Sequence, residues 1–248
     1  MKKILTIKEL MNKIAPFYDK ICSPCSNERI TYLKQLIKDN YISTFLDLSC
    51  STGQTINNLK DCGCLFYGID LSKKMINVAR AKTNQFRNIH FYHTDMITFL
   101  KNTTSKFDCI YSNSLNWLPS LNDFSLVIKL CANKLSTNGI LLIDIPIDSK
   151  TLNQSASNCV VDNCLIIKNT LMTKVNTYQV KVIQEYSLIK NYTYKSYFGE
   201  FSLINFNNKL LCDTINNSPF YILKRDVNYN NPANTLYHQL VLKKRDLS

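Results

Sequence analysis

Short apolar runs alternate with amphipathic stripes from the start of the chain to Pro146, and that alternation predicts strands separated by helices. Residues 4–14 and 26–39 carry apolar side chains at helical spacing, the second as Ile30, Leu33, Leu36 and Ile37, so two amphipathic helices lead. The run Ile42 to Leu48 is too short for a helix, and it is cut off by the small residues Ser49, Cys50, Ser51, Thr52 and Gly53. A strand followed by a tight turn fits it. Helix-compatible residues continue from Gln54 to Lys60, and a second strand ends at Asp70. Ser72 is placed to cap a helix whose buried face is Met75, Ile76 and Ala79. Asn88 to His93 reads as a third strand, Met96 to Leu100 as a short helix that Asp95 can cap, and Phe107 to Ser112 as a fourth strand. Leu121 to Leu135 is helical, Asn138-Gly139 a turn, and Ile140 to Ile145 a fifth strand ended by Pro146.

After Val160 the pattern changes to β-branched and aromatic alternation, in Gln179 to Leu188 and in Tyr192-Thr193-Tyr194. Antiparallel strands forming a flap beside the sheet are expected there. Ile204 to Ile215 returns to helical spacing, and Phe220 to Lys224 and Tyr237 to Leu242 complete the sheet. The expected organisation is one domain over 1–248: a helical cap at 1–40, a core at 41–146, a flap at 160–202 and closing elements at 203–248.

With 248 residues and 45% hydrophobic content, the chain can bury a full core. Its net charge of +12 raises the question of nucleic acid, because clustered Lys and Arg capture phosphates. The basic residues are mostly Lys scattered among Asn and Ile, without a block of like charge, which favours a solvated surface. No apolar run approaches the roughly 18 residues of a membrane span. Met1-Lys2-Lys3-Ile4-Leu5 opens like a signal peptide, but Lys8 and Glu9 break the apolar region. A cytoplasmic protein whose 10 cysteines stay reduced is expected. Cys22-Ser23-Pro24-Cys25 is a lone CxxC and Cys62-Gly63-Cys64 a CxC; neither has a partner at zinc spacing, so no metal is expected.

The chemistry gathers at strand ends. Small residues from Ser49 to Gly53 let backbone approach a ligand, and the helix that follows points free N–H groups at the same gap, where they can hold a carboxylate or phosphate. Asp70 stands where an acidic residue can accept hydrogen bonds from both hydroxyls of a ribose. Asn113 to Pro119, with the single Trp117, follows the fourth strand, and open parallel sheets place their sites at such ends.

Asp47-Leu48-Ser49-Cys50-Ser51-Thr52-Gly53 resembles the first motif of the class I S-adenosylmethionine-dependent methyltransferases, Asp/Glu-x-Gly-x-Gly-x-Gly, and Gly68-Ile69-Asp70-Leu71-Ser72-Lys73-Lys74-Met75 resembles their second, G-x-D-x-S-x-x-M. Two family glycines stand here as Ser49 and Ser51. A serine held at positive φ costs roughly 1 to 2 kcal/mol more than glycine. The resemblance implies a doubly wound, seven-stranded, mostly parallel sheet with N-terminal helices and an antiparallel insertion after the fifth strand. It implies S-adenosylmethionine as cofactor, held by Tyr18, Asp47, Ser49, Gly53, Asp70, Leu71 and Met75. Asp95 would hydrogen-bond the adenine and Met96 offer a backbone N–H, with Ser112 and Asn113 beyond the fourth strand. Tyr18-Asp19 resembles the family's N-terminal pair that folds over the cofactor.

Ser-Asn-x-x-x-Trp at 112–117 resembles the matching segment of malonyl-carrier-protein and trans-aconitate methyltransferases. The inserted strands resemble those of family members that methylate small amines. A small-molecule acceptor methylated at nitrogen or oxygen is therefore implied, walled by Trp117, Tyr194 and Tyr197, with Tyr18 and Asn116 as candidates for orienting or deprotonating it. A second copy of the chain is a candidate partner. The adenine-N6 motif after the fourth strand is replaced by Ser112-Asn113-Ser114-Leu115, and the only Pro-Cys, Pro24-Cys25, is misplaced for cytosine-C5 chemistry. An RNA methyltransferase, and a scaffold that no longer transfers methyl groups, stay open as alternatives.

Overall fold

The computed structural model describes residues 3–22, 26–146, 153–227 and 237–245. The chain runs β1 (Ile4–Leu5), α1 (Ile7–Ile14), α2 (Tyr18–Ile21), α3 (Asn27–Asp39), β2 (Thr44–Asp47), α4 (Gln54–Leu59), β3 (Leu65–Asp70), α5 (Lys73–Thr83), β4 (Ile89–His93), α6 (Met96–Asn102) and β5 (Phe107–Ser112). It continues through α7 (Leu121–Lys134), β6 (Leu135–Pro146), β7 (Asn153–Val161), β8 (Cys164–Asn176), β9 (Gln179–Lys190), β10 (Thr193–Ile204), α8 (Asn208–Asn216), β11 (Phe220–Val227) and β12 (Tyr237–Lys244).

Seven strands form one sheet in the order β11-β12-β6-β5-β2-β3-β4. Neighbours are parallel from β6 to β4, and β12 is antiparallel to both β6 and β11. Adjacent residues go to opposite sides of this sheet. Leu46, Ile110 and Leu141 face the helices α7 and α8, while Phe45, Cys109 and Leu142 face α3, α4 and α5. Both sides being covered explains why these strands read as continuous apolar runs.

A second sheet of five strands, ordered β1-β10-β9-β8-β7, is the flap. It is larger than the expected insertion. Two of its hairpins turn on two residues at positive φ, Asp162-Asn163 (48° and 60°) and Asn191-Tyr192 (47° and 61°), the geometry that matches strand twist. Tyr192, expected in a strand, is therefore in a turn. The first residues also differ from expectation. Thr6 and Glu9 form a capping box, which starts α1 at Ile7 and frees Ile4 and Leu5 to pair in parallel with Phe198 and Gly199.

Asn138-Gly139 is not a turn: β6 is continuous from Leu135, and its register against β5 slips between Phe107 and Cys109. Gly139 is needed for close approach, since a Cβ there would come within 2.9 Å of the Phe107 carbonyl oxygen. Among the described residues the cysteines are free thiols, and no His, Cys, Asp or Glu cluster is arranged to hold a metal. Ser23-Pro24-Cys25 lies outside the described residues. No helix among the described residues is long and apolar enough to cross a membrane.

Candidate functional site

The strand order reverses at β2, which lies between β3 and β5, and the loop Leu48 to Gly53 leaves the carboxyl end of the sheet at that point. Backbone bonds pin it to both neighbours, Leu48 N–H to the Tyr111 carbonyl at 2.9 Å and Cys50 N–H to the Ile69 carbonyl at 2.9 Å. Asp47 accepts from the Ser49 N–H at 3.1 Å, and the Ser49 and Ser112 hydroxyls are 3.1 Å apart. Asp70 accepts from the Ser51 N–H at 2.9 Å and the Ser72 N–H at 2.8 Å, so its carboxylate joins the loop to the start of α5. Gly53 has φ 71°, and a Cβ there would stand 2.8 Å from both Ala79 and Phe91. Glycine is obligatory on both counts. Of the two serines, Ser51 takes the left-handed conformation, at φ 48°, and Ser49 does not.

The carboxylates are tuned by burial. It pushes Asp47 up to about 7, with the Ser49 N–H and Arg29 drawing it part of the way back and Asp70 and Asp144 adding to the rise. Asp70 is also raised by burial, against the Ser72 and Ser51 N–H groups. Asp95 goes the other way: burial pushes it up, but bonds from Thr98 outweigh that and hold it below the ordinary range. Asp95 caps α6, accepting from the Thr98 N–H at 2.8 Å. Met96 is partly buried against the core below, and Leu71 is exposed, its carbonyl 3.1 Å from His93 Nε2.

The N-terminal segment closes over this loop. Asp19 accepts from the Thr52 hydroxyl and pairs with Lys82, whose Nζ also reaches the Thr52 carbonyl at 3.1 Å. Burial pushes the Tyr18 hydroxyl well above the usual range, with the neighbouring Ser51 side chain drawing it part of the way back. Asn12 accepts from the Ser72 hydroxyl at 2.9 Å and the Lys74 N–H at 3.0 Å. Met75 is fully buried beneath α1 and α2 with Leu10, Ile14 and Phe17, as a core residue.

Beyond β5, Ser112 and Asn116 are buried, and the Asn116 Oδ1 has no hydrogen-bond partner. Trp117 stacks on Phe201 of the flap, ring centroids 4.9 Å apart. Asn113 is half-buried at the same strand end. Tyr197 packs with the flap and N-terminal cluster. Tyr194 does not share its face. Tyr194 pairs with Ile189 and Tyr197 with Tyr186, and three positions along a strand place side chains on opposite sides. Tyr194 is 60% exposed on the outer face, bonded to Ser187, so it does not wall an acceptor with Tyr197.

Two clusters escape a reading by motif. Arg29 on α3 reaches Asp144 on β6 at 2.5 Å and lies over the Tyr111 ring, whose hydroxyl donates to Asp144 at 3.0 Å. The signal was there: Arg29 stands on the same helical face as Leu33 and Leu36, and Asp144 interrupts an apolar run, so each buried charge needed a partner. The other is Lys168, Cys22 and Tyr186, where Cys22 Sγ is 3.6 Å from Lys168 Nζ and 3.5 Å from the Tyr186 hydroxyl.

Residues 45–139 match the methyltransferase domain family model, and that span holds the loop, Asp70, Asp95 and Trp117. The fold is that of the class I methyltransferases. An S-adenosylmethionine-dependent methyltransferase from Clostridium acetobutylicum superposes with a TM-score of 0.77 at 21% identity, over 94% of this chain and 98% of its own. The sugar N-methyltransferase KedS8 from Streptoalloteichus superposes with a TM-score of 0.74 at 13% identity, over 91% of each chain. By sequence, the chain is 34% identical over 102 residues to YqeM of Bacillus subtilis, a protein provisionally named a methyltransferase. That match takes in 40% of this chain and spans 41% of YqeM. The methyltransferase fold thus extends over the flap and the closing strands, while the family model matches residues 45–139, the core that carries the loop.

Proposed function

We propose that the chain is an S-adenosylmethionine-dependent methyltransferase acting at nitrogen or oxygen of a small-molecule acceptor, with residues 1–248 working as one domain. The observation that carries this reading is the loop at the strand-order reversal, bonded through Ser51 to Asp70 and covered by Tyr18 and Asp19. Its residues fit the cofactor. Asp70 offers a carboxylate for ribose hydroxyls, Gly53 lets the loop turn at positive φ against Ala79 and Phe91, and Asp95 and Met96 stand at the end of the next strand for the adenine. When bound, the cofactor supplies an electrophilic methyl group on a sulfonium.

The chain's own residues then need mainly to align the acceptor and keep water out, since orientation alone accounts for much of the rate of such displacements. Asn116 is suited to hold a donor group of the acceptor, because its Oδ1 is buried without a partner and a buried acceptor atom gains by accepting a bond. Tyr18, its hydroxyl held protonated by burial, orients rather than deprotonates. The flap supports a small acceptor, since Phe201 stacked on Trp117 and the N-terminal helices narrow the approach, as enclosed ligand sites require. KedS8, which shares the fold, is a sugar N-methyltransferase, in keeping with this reading.

Titration calorimetry with S-adenosylmethionine tests the cofactor, and the chain is expected to bind it. Asp70→Ala removes charged hydrogen bonds worth roughly 1.5 to 3 kcal/mol each, so binding should weaken at least about tenfold. Folded protein that gives no heat at millimolar cofactor would overturn the proposal. Incubation with a low-molecular-weight extract should then yield a product heavier by one methylene, and labelled methyl appearing only in RNA would replace the small acceptor by nucleic acid.

A further inference from the structure

The inner face of the flap carries a polar island that the cofactor site does not use. Strand register defines this face. On β9 it holds Val180, Val182, Gln184, Tyr186 and Leu188; opposite them β8 places Met172, Thr170, Lys168 and Ile166, and β10 places Leu203, Phe201, Gly199, Tyr197 and Lys195. It is the side turned to the rest of the molecule, because Tyr186 packs against Phe17 and Phe201 against Trp117. Most of the face is apolar, as a buried sheet face should be. In its middle, Lys168, Tyr186, Thr170 and Gln184 form two adjacent cross-strand pairs, and β7 adds Ser157 and Ser155 opposite Lys168 and Thr170.

This island is incompletely satisfied. Gln184 is 5% exposed and its Oε1 has no hydrogen-bond partner, although buried polar groups are almost always paired. Lys168 is half-buried over the Tyr186 ring and donates only to Cys22 Sγ; among the described residues no carboxylate pairs with it. A lysine facing inward without a counter-ion is a cation that a ligand can neutralise. Tyr186 and Cys22, 3.5 Å apart at hydroxyl and sulfur, pack in one cluster with Tyr18, and Tyr18 lies beside Ser51 of the cofactor loop. The island is thus connected to the loop through two side chains, and it opens to solvent at the edge strand, where Ser155 and Ser157 are exposed.

We infer that this island recognises the acceptor, and that the acceptor is a small molecule bearing an anionic group, which Lys168 holds, and a hydrogen-bond donor, which Gln184 Oε1 accepts. The inference rests on the proposed methyl transfer and narrows its substrate class. Lys168 acts here as a specificity residue.

The test uses the full chain with labelled S-adenosylmethionine and a low-molecular-weight extract separated into anionic, neutral and cationic fractions. Label is expected in the anionic fraction. Phosphatase treatment of that fraction beforehand separates the two sources of charge, with loss of labelling indicating a phosphate ester and survival a carboxylate. Lys168→Met should raise KM for the anionic fraction at least about tenfold with kcat within about threefold, the pattern of lost uniform binding. Lys168→Arg, which keeps the charge, should stay near the unaltered protein, and both variants should keep cofactor affinity by calorimetry. Label confined to the neutral or cationic fraction, or a Lys168→Met KM that does not move, overturns the inference while leaving methyl transfer standing. A chain that binds no cofactor overturns the reading beneath it.

Discussion

Ser51 holds φ at 48° with a Cβ that glycine would lack, at a cost of roughly 1 to 2 kcal/mol. Its compensation is visible: the N–H bonds Asp70, and the side chain lies beside Tyr18. Ser51→Gly should relieve the strain but add about 0.5 to 1 kcal/mol of unfolded-state entropy, leaving stability by urea denaturation within about 1 kcal/mol. Its distinguishing effect should be faster amide exchange in α2, because Tyr18 loses a side chain packed beside it. Ser49→Gly relieves nothing, since Ser49 is not left-handed, and should simply lose stability with the Ser112 bond. The sequence could say that a serine in this loop would be strained; which serine depends on how the loop is pinned to Ile69 and Tyr111, and that is tertiary. Asp47 gives a pH signature. A carboxyl raised from 3.8 to about 7 on folding means that the native state holds the proton longer, so its contribution makes stability fall as pH rises from about 4 to about 7, by about 4 kcal/mol at most, and level off above. Asp47→Asn should therefore flatten the difference in urea midpoint between about pH 5 and about pH 7.5. An unaltered slope would place the titrating group elsewhere.

At the scale of elements, the N-terminal helices behave as a clasp. Asp19 ties α2 to Thr52 and Lys82, and Asn12 ties α1 to the start of α5, so two polar fasteners complement the apolar packing of Leu10, Ile14 and Phe17. Asp19→Ala removes a partly buried pair and should cost about 1 to 3 kcal/mol. Cofactor affinity should drop with it, since the clasp lies on the loop; calorimetry on the variant checks this, and full affinity would mean that closure is independent of Asp19. The core elements were legible because the apolar runs and capping residues Ser26, Ser72, Asp95 and Ser120 agree on one answer. Strand β1 was not, because two residues carry no period and their pairing partner lies in β10. Nor was the start of β6: Asn138-Gly139 has turn chemistry, and only the proximity of the Phe107 carbonyl explains its glycine otherwise. Tyr194 and Tyr197 share a strand of the flap, and their three-residue spacing is enough to place them on opposite faces.

For the whole molecule, the excess of 12 positive charges predicts attraction to any polyanion, tempered by its dispersal. Binding to bulk RNA should be feeble at about 150 mM salt and should not show the steep salt slope that many released counterions produce; sub-micromolar binding with a slope of several units would argue for a nucleic-acid footprint instead. The parallel pairing of Ile4 and Leu5 with Phe198 and Gly199 has a consequence for assembly. Ile4 and Leu5 are seated against a strand that is synthesised nearly two hundred residues later, and closing so long a loop is slow. The sheet from β2 to β6 has its own apolar faces and can form while the flap is still unmade. During synthesis the cofactor loop would accordingly be built with its clasp hanging open, and β1 would be among the last elements to find its place.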